Sequence, residues 1–130
     1  MKVIDEAIET TRNNTGLILN FAFNYGARDE IVRAAKKYAE DYKAGRVSDL
    51  DEETFASYLY TADLPEVDLL IRTGSEMRLS NFLLYQLAYS EFVVIDTLWP
   101  DFTGDILDEC IAEYQSRKRN FGGRDEAKNH

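Results

Sequence analysis

One cysteine, one histidine and two prolines occur in the whole chain, and each scarcity closes off a class of function. A single thiol, Cys110, cannot close an intramolecular disulfide or build a cysteine-based metal cluster, which fits a reducing compartment. The only histidine, His130, ends a stretch expected to be a loose tail, so Ser-His-Asp catalysis and histidine-rich metal chemistry are excluded within this chain. With 2 Pro and 7 Gly beside 45% hydrophobic residues, the composition is that of a folded domain and excludes disorder throughout. No apolar run approaches the roughly 20 residues of a membrane span. The polar start Met1-Lys2-Val3-Ile4-Asp5-Glu6 does not read as a signal peptide, so a cytoplasmic location is expected. Positive charge is short too: 15 Lys and Arg against 24 Asp and Glu leave −9, a field that repels nucleic-acid phosphates and anionic lipid. Nucleic-acid partners are therefore not expected, and any anionic ligand must be held by a local cluster of cations.

What is present alternates between helical and strand periods over 130 residues, the pattern of one α/β domain or part of a larger one. Val3, Ile4, Ala7 and Ile8 predict a helix from almost the first residue to Asn13-Asn14, as if the chain began inside a longer fold. Gly16 to Phe23 is nearly all apolar and ends at Asn24-Tyr25-Gly26, which predicts a strand buried on both faces. Ile31, Ala34, Ala35, Tyr38 and Tyr42 predict the next helix, closed by Gly45 in a left-handed turn. A shorter helix is expected within Ser48 to Tyr60. Val67–Ile71 and Phe92–Ile95 read as two more strands, with a helix from about Asn81 to Ser90 between them, N-capped by Ser80. A last helix carries Ile106, Leu107, Cys110, Ile111 and Tyr114 and is stopped by Gly122-Gly123. The expected architecture is a mostly parallel sheet of about three strands flanked by helices, in one unit over 1–123 with a flexible tail over 124–130. Ligands of such sheets bind beyond the carboxyl ends of the strands, which selects Asn24, Arg72 and Asp96.

The strongest chemical signal is Arg72 at a strand end, Arg78 six residues on, and Ser80 at the start of the next predicted helix. Guanidinium forks and a helix N-terminus together suit phosphate oxygens, and Gly74-Ser75 would let the loop backbone come close. The competing reading is structural: Arg72 and Arg78 pair with Glu76, Glu91 or Asp96 and hold the loop shut. Glu91 admits two readings as well, a ligand of a hard cation or a solvated carboxylate. Phe82, Tyr85, Tyr89, Phe92 and Trp99 read as core or subunit interface.

At these residues the chain resembles a known family. Asp68-Leu69-Leu70-Ile71-Arg72-Thr73, Glu76-Met77-Arg78-Leu79-Ser80-Asn81-Phe82-Leu83-Leu84, Ala88-Tyr89-Ser90-Glu91 and Trp99-Pro100-Asp101-Phe102 closely resemble the cis-prenyltransferases, the undecaprenyl diphosphate synthases in particular. Asn24-Tyr25-Gly26 before Arg28, and Arg119-Asn120-Phe121-Gly122-Gly123, look like two further motifs of that family in the same order. The resemblance runs from about Thr15 to Gly123 and implies a partial undecaprenyl diphosphate synthase-like fold. It implies condensation of isopentenyl diphosphate onto an allylic diphosphate such as farnesyl diphosphate, with Mg2+, in a homodimer whose membrane contact is at most peripheral, through its lipid product. By resemblance, Arg72, Arg78 and Ser80 would hold the diphosphate of isopentenyl diphosphate, with Glu76 near the same site. Glu91 would be the magnesium ligand, and Phe121, Gly122 and Gly123 would reach the neighbouring subunit. The family's N-terminal His-x-x-x-Met-Asp-Gly-Asn-x-Arg motif, which carries its catalytic Asp, is absent, so no catalytic residue is expected here and the chain alone should not turn over. Ala27 stands where the family usually has a second Gly, and Tyr85 where Trp is common. The alternative is a non-catalytic dimerisation or binding module derived from the same fold.

Overall fold

In the computed structural model, which describes residues 2–117, two short parallel strands hold the middle of the chain together. β1 (Leu69–Arg72) lies beside β2 (Glu91–Val94), with Leu69 opposite Glu91 and Arg72 opposite Val94. Around them in chain order run α1 (Lys2–Thr11), α2 (Ala27–Lys43), α3 (Glu52–Ala56), a 3-10 turn at Trp99–Asp101, and α4 (Gly104–Ser116). The expected α/β class, a small parallel sheet flanked by helices, is what the chain forms. α4 is capped where the sequence turns polar, Thr103 accepting from the Ile106 N–H at 3.4 Å. It sets the buried Cys110 on its inner side and packs on β2, where Val93 is only 1% exposed. Burying a valine this completely contributes about 1.5–3 kcal/mol, so Val93 is the seam of the sheet layer.

α2 is nearly as predicted. It ends where Gly45 turns left-handed at φ 71°, its N–H donating to the Tyr42 carbonyl at 3.0 Å. Its buried face is Ala27, Glu30 and Ala34. Ala27 needs no positive φ, because it is the first residue of the helix rather than part of a left-handed turn.

Two expected elements do not form. Residues 17–22 take no strand hydrogen bonds, and Leu17, Ile18, Leu19, Phe21 and Phe23 stand 66–91% exposed. A strand exists only by pairing, and among the described residues nothing pairs with this one; the sheet therefore has two strands, not three. Nor does a helix run from Asn81 to Ser90. Ser80, Asn81 and Leu83 have positive φ of 50°, 63° and 44°, so the chain turns through 80–90 instead of coiling, and Ser80 caps nothing. The helix expected within Ser48–Tyr60 is only the five residues of α3, capped by Asp51 accepting from the Thr54 N–H at 2.7 Å. Residues 118–130 lie outside the described part, and with them the boundary at 123/124 and the interface residues Phe121, Gly122 and Gly123.

Candidate anion site at the carboxyl end of the sheet

Arg72 ends β1 and hands the chain to a loop that the exit of β2 holds in place. The Ile95 N–H donates to the Arg72 carbonyl at 2.9 Å, the Gly74 N–H to Thr97 at 2.9 Å, and the Ser75 N–H to Ile95 at 2.8 Å. Gly74 turns at φ 77° and Ser75 at φ 57°. The loop thus needs glycine for its turn, yet the N–H groups of Gly74 and Ser75 are already spent on the Thr97 and Ile95 carbonyls just past β2 and are not offered to a ligand. What remains for an anion is side chain. The Arg72 side chain is half-buried, its Nε is fully buried, and it makes no hydrogen bond or ion pair among the described residues. An unsatisfied buried donor costs about 1–3 kcal/mol, more when charged, which an oxyanion at this spot would recover.

Arg78 and Glu76 come together, Nη1 to Oε2 at 2.5 Å, with the arginine 69% and the glutamate 39% exposed. So the structural reading holds for Arg78 and fails for Arg72. An exposed pair of this kind contributes about 0–1 kcal/mol, so Arg78 is easily recruited by a ligand. Ser80 is exposed beyond it. Asn81, next in line, reaches α2: its carbonyl accepts from the Ala27 N–H at 2.8 Å, and its Oδ1 from the Arg28 N–H at 2.9 Å. Loop 73–80 is therefore pinned at its start to the exit of β2 and just past its end to the N-terminus of α2. Asp96 is exposed at the same sheet end, and Asn24 is exposed at φ 49° before α2.

Glu91 is placed elsewhere. It opens β2 opposite Leu69, three residues and so about 10 Å along the strands from the Arg72 level. The Arg117 Nη1 donates to its Oε2 at 3.1 Å and to the Phe92 carbonyl at 2.8 Å, while Nη2 binds Glu113. Hydrogen bonds to Glu113 first, then to Glu91, raise the Arg117 pKa above its ordinary value. A divalent ion needs several converging oxygens, and no three His, Cys, Asp or Glu side chains converge among the described residues. With a guanidinium already seated on Glu91, the described residues by themselves do not complete a magnesium shell, and the chemistry of the Arg72 end is derived without it.

Sequence reasoning missed Glu30, Asn81 and Arg117. Glu30, 1% exposed, accepts from the Tyr60 N–H at 2.7 Å, from Gln86 at 3.2 Å and from the Tyr25 hydroxyl. Tyr25 in turn meets the Phe82 ring edge-on at 5.7 Å, and its pKa is raised, by burial first and then by the Glu30 hydrogen bond and charge. The residue types were visible, Glu one turn into a helix and Asn after Ser, but apart from Tyr25 the partners described for them are 30 to 56 residues away. Tyr85, at the position where Trp is common, packs on Phe55 with ring centroids 5.4 Å apart and donates to the Glu52 carbonyl at 3.2 Å. A recess of about 990 Å³ lies beside it, between α3, residues 61–68 and residues 84–89. Glu52, Glu53, Glu66 and Asp68 line it without a single cation, so it does not suit a diphosphate.

Residues 1–122 match a family model described as "Putative undecaprenyl diphosphate synthase". The chain is 53% identical over 124 residues to the ditrans,polycis-undecaprenyl-diphosphate synthase ((2E,6E)-farnesyl-diphosphate specific) of Micrococcus luteus, covering 94% of this chain and 50% of that protein. It is 52% identical over 125 residues to the isoprenyl transferase of Bacillus subtilis (strain 168), covering 95% and 48%. Among solved structures it is similar to lavandulyl diphosphate synthase from Lavandula x intermedia in complex with dimethylallyl diphosphate. There the TM-score is 0.87 at 38% identity, over 94% of this chain and 53% of that one. The chain thus spans about half the length of the curated relatives it matches. Over that half it belongs to the cis-prenyltransferase family, whose members here include undecaprenyl diphosphate synthases.

Proposed function

We propose that this chain carries the isopentenyl diphosphate half-site of a cis-prenyltransferase, which condenses that unit onto an allylic diphosphate such as farnesyl diphosphate. The observation that carries the reading is the half-buried guanidinium of Arg72 at the carboxyl end of β1, unpaired among the described residues, in a chain of net charge −9. The buried Nε without a hydrogen bond carries a desolvation cost, and an oxygen of a diphosphate is an acceptor that offsets it. Arg72 is the fixed half of the grip, set by the strand. Arg78 is the mobile half, exchanging Glu76 for a phosphate oxygen, and Ser80 adds a hydroxyl donor. The grip acts by orientation: held by its diphosphate, the isopentenyl double bond is fixed in direction toward an acceptor supplied from outside these residues. Ionising the allylic partner needs donors on its leaving group, and the family motif His-x-x-x-Met-Asp-Gly-Asn-x-Arg that would bring them is not among these 130 residues, so the chain taken by itself binds and does not turn over. Glu91 as a magnesium ligand requires Arg117 to leave it and further oxygens to arrive, and a homodimer through Phe121, Gly122 and Gly123 belongs to the same proposal, as does a cytoplasmic setting with at most peripheral membrane contact.

Isothermal calorimetry with isopentenyl diphosphate tests this. Binding weakened at least tenfold by Arg72→Ala, and less by Arg78→Ala, supports the half-site; equal affinity in wild type and Arg72→Ala overturns it. A second reading, a non-catalytic association module, draws on the exposed apolar run Leu17, Ile18, Leu19, Phe21 and Phe23. It predicts self-association without any diphosphate binding.

A further inference from the structure

α2 begins without a cap of its own. Gly26 sits at its N-cap position with no side chain, so the N–H groups of Ala27 and Arg28, which no helical carbonyl can reach, need acceptors from elsewhere. Asn81 supplies both, from its backbone carbonyl and its side-chain Oδ1. It crosses 53 residues of sequence to do so, and it does so at a left-handed φ of 63° that asparagine tolerates better than most residues. The fit is close on the other side as well: a Cβ at Gly26 would lie 2.9 Å from Asn81 Nδ2, while the Oδ1 of the same amide is tied to Arg28 and cannot swing clear without breaking that bond. Gly26 is in extended backbone at φ −143°, so the glycine is required here by the approach of Asn81, not by its own torsion.

We propose that Asn81 is a positioning residue for the diphosphate grip, a latch that fastens the end of loop 73–80 to the N-terminus of α2, with Gly26 as its seat. This rests on the half-site reading above. Loop 73–80 carries Arg78 and Ser80 and has two anchors: the start is sewn to Thr97 and Ile95, and Asn81 is the anchor at the end. Contacts beyond Asn81 brace that anchor. Phe82 meets the Tyr25 ring, and Gln86 donates to Glu30. With one anchor cut, Arg78 and Ser80 sample positions that binding must then restrict, and affinity falls although no group that touches the ligand has been removed.

The test pairs two measurements on the full chain, amide hydrogen exchange and titration with isopentenyl diphosphate. Asn81→Ala is expected to speed exchange of the Arg28 amide at least tenfold, and that of Ala27 less because its acceptor is main chain. It should weaken binding about threefold to tenfold. Gly26→Ala leaves Asn81 in the sequence but crowds its amide, and should reproduce both effects if Asn81→Ala proves poorly folded. Asn81→Asp keeps an Oδ1 acceptor and should restore Arg28 protection. Arg72→Ala should lose binding while Arg28 stays protected, which separates loss of the grip from loss of the latch. Release of the Arg28 amide with unchanged affinity would overturn the positioning role while the half-site stands. Unchanged exchange in both Asn81→Ala and Gly26→Ala would overturn the latch itself. Binding that survives Arg72→Ala would remove the half-site reading and the positioning role together, leaving the exchange result as the mark of a purely structural clamp.

Discussion

The two ends of one small sheet treat charge in opposite ways. At the carboxyl end Arg72 holds a guanidinium that nothing among the described residues satisfies, and Arg78 is tied only to an exposed Glu76. About 10 Å away, at the end where β2 begins, Arg117 bridges Glu91 and Glu113 and reaches the Phe92 carbonyl as well. The second end is finished: one guanidinium serves two carboxylates and fastens α4 to the sheet. The first leaves a guanidinium without a partner among the described residues, and the proposed diphosphate grip rests on that opening. The difference between the two ends lies in which partners the fold has brought within reach: two carboxylates for Arg117, none among the described residues for Arg72.

Removing what the two ends share should have the largest effect. Val93→Asp buries an unpaired carboxylate in the sheet seam and is expected to abolish cooperative thermal unfolding by circular dichroism, erasing both ends at once. Arg72→Ala should separate them: affinity for isopentenyl diphosphate falls at least tenfold by calorimetry, while unfolding by circular dichroism stays cooperative and the melting temperature does not fall, because no hydrogen bond or ion pair among the described residues is lost. Arg117→Ala should do the reverse, lowering the melting temperature and loosening α4 in hydrogen exchange with diphosphate affinity unchanged. In the wild-type chain, EDTA should leave the melting temperature unchanged and magnesium should barely move the Glu91 and Glu113 signals; Arg117→Ala, which frees both carboxylates, should enlarge that response. The smallest expected effect is alkaline. Because the Tyr25 pKa is raised in the folded chain, its contribution is complete below the ordinary tyrosine value of 10.0 and fades as the pH climbs above it. Tyr25→Phe should flatten that part of the stability profile in urea titrations at pH 9 to about 11.

The elements legible in the sequence were those whose partners are supplied within the described residues. β1, β2, α2 and α4 follow their apolar periods because each finds a surface to cover, Val93 against α4 and Ala27 and Ala34 along α2. Gly16–Phe23 has as strong a strand pattern as β2 but no neighbour to bond among the described residues, and a pattern without a partner stays exposed. Residues 81–90 failed differently. Their spacing is helical, yet Asn81 gives its carbonyl to Ala27, and the left-handed turns at Ser80, Asn81 and Leu83 that place it there prevent a helix from starting. The site divides in the same manner. Arg72 and Arg78 were legible from type and spacing near a strand end; that Arg78 meets Glu76 while Arg72 meets no carboxylate among the described residues, that Glu91 faces Arg117, and that Asn81 caps a distant helix are three-dimensional facts that no local window contains.

The most direct test of the account is a residue-resolved NMR titration of the isotopically labelled chain with isopentenyl diphosphate, comparing wild type with Arg72→Ala. The account predicts saturable shifts confined to residues 72–81 and the exit of β2 at 95–97, absent in the variant, with Glu91, Glu113 and Arg117 unmoved. Shifts centred on Glu91 and Arg117, or the same shifts in wild type and Arg72→Ala, would contradict it.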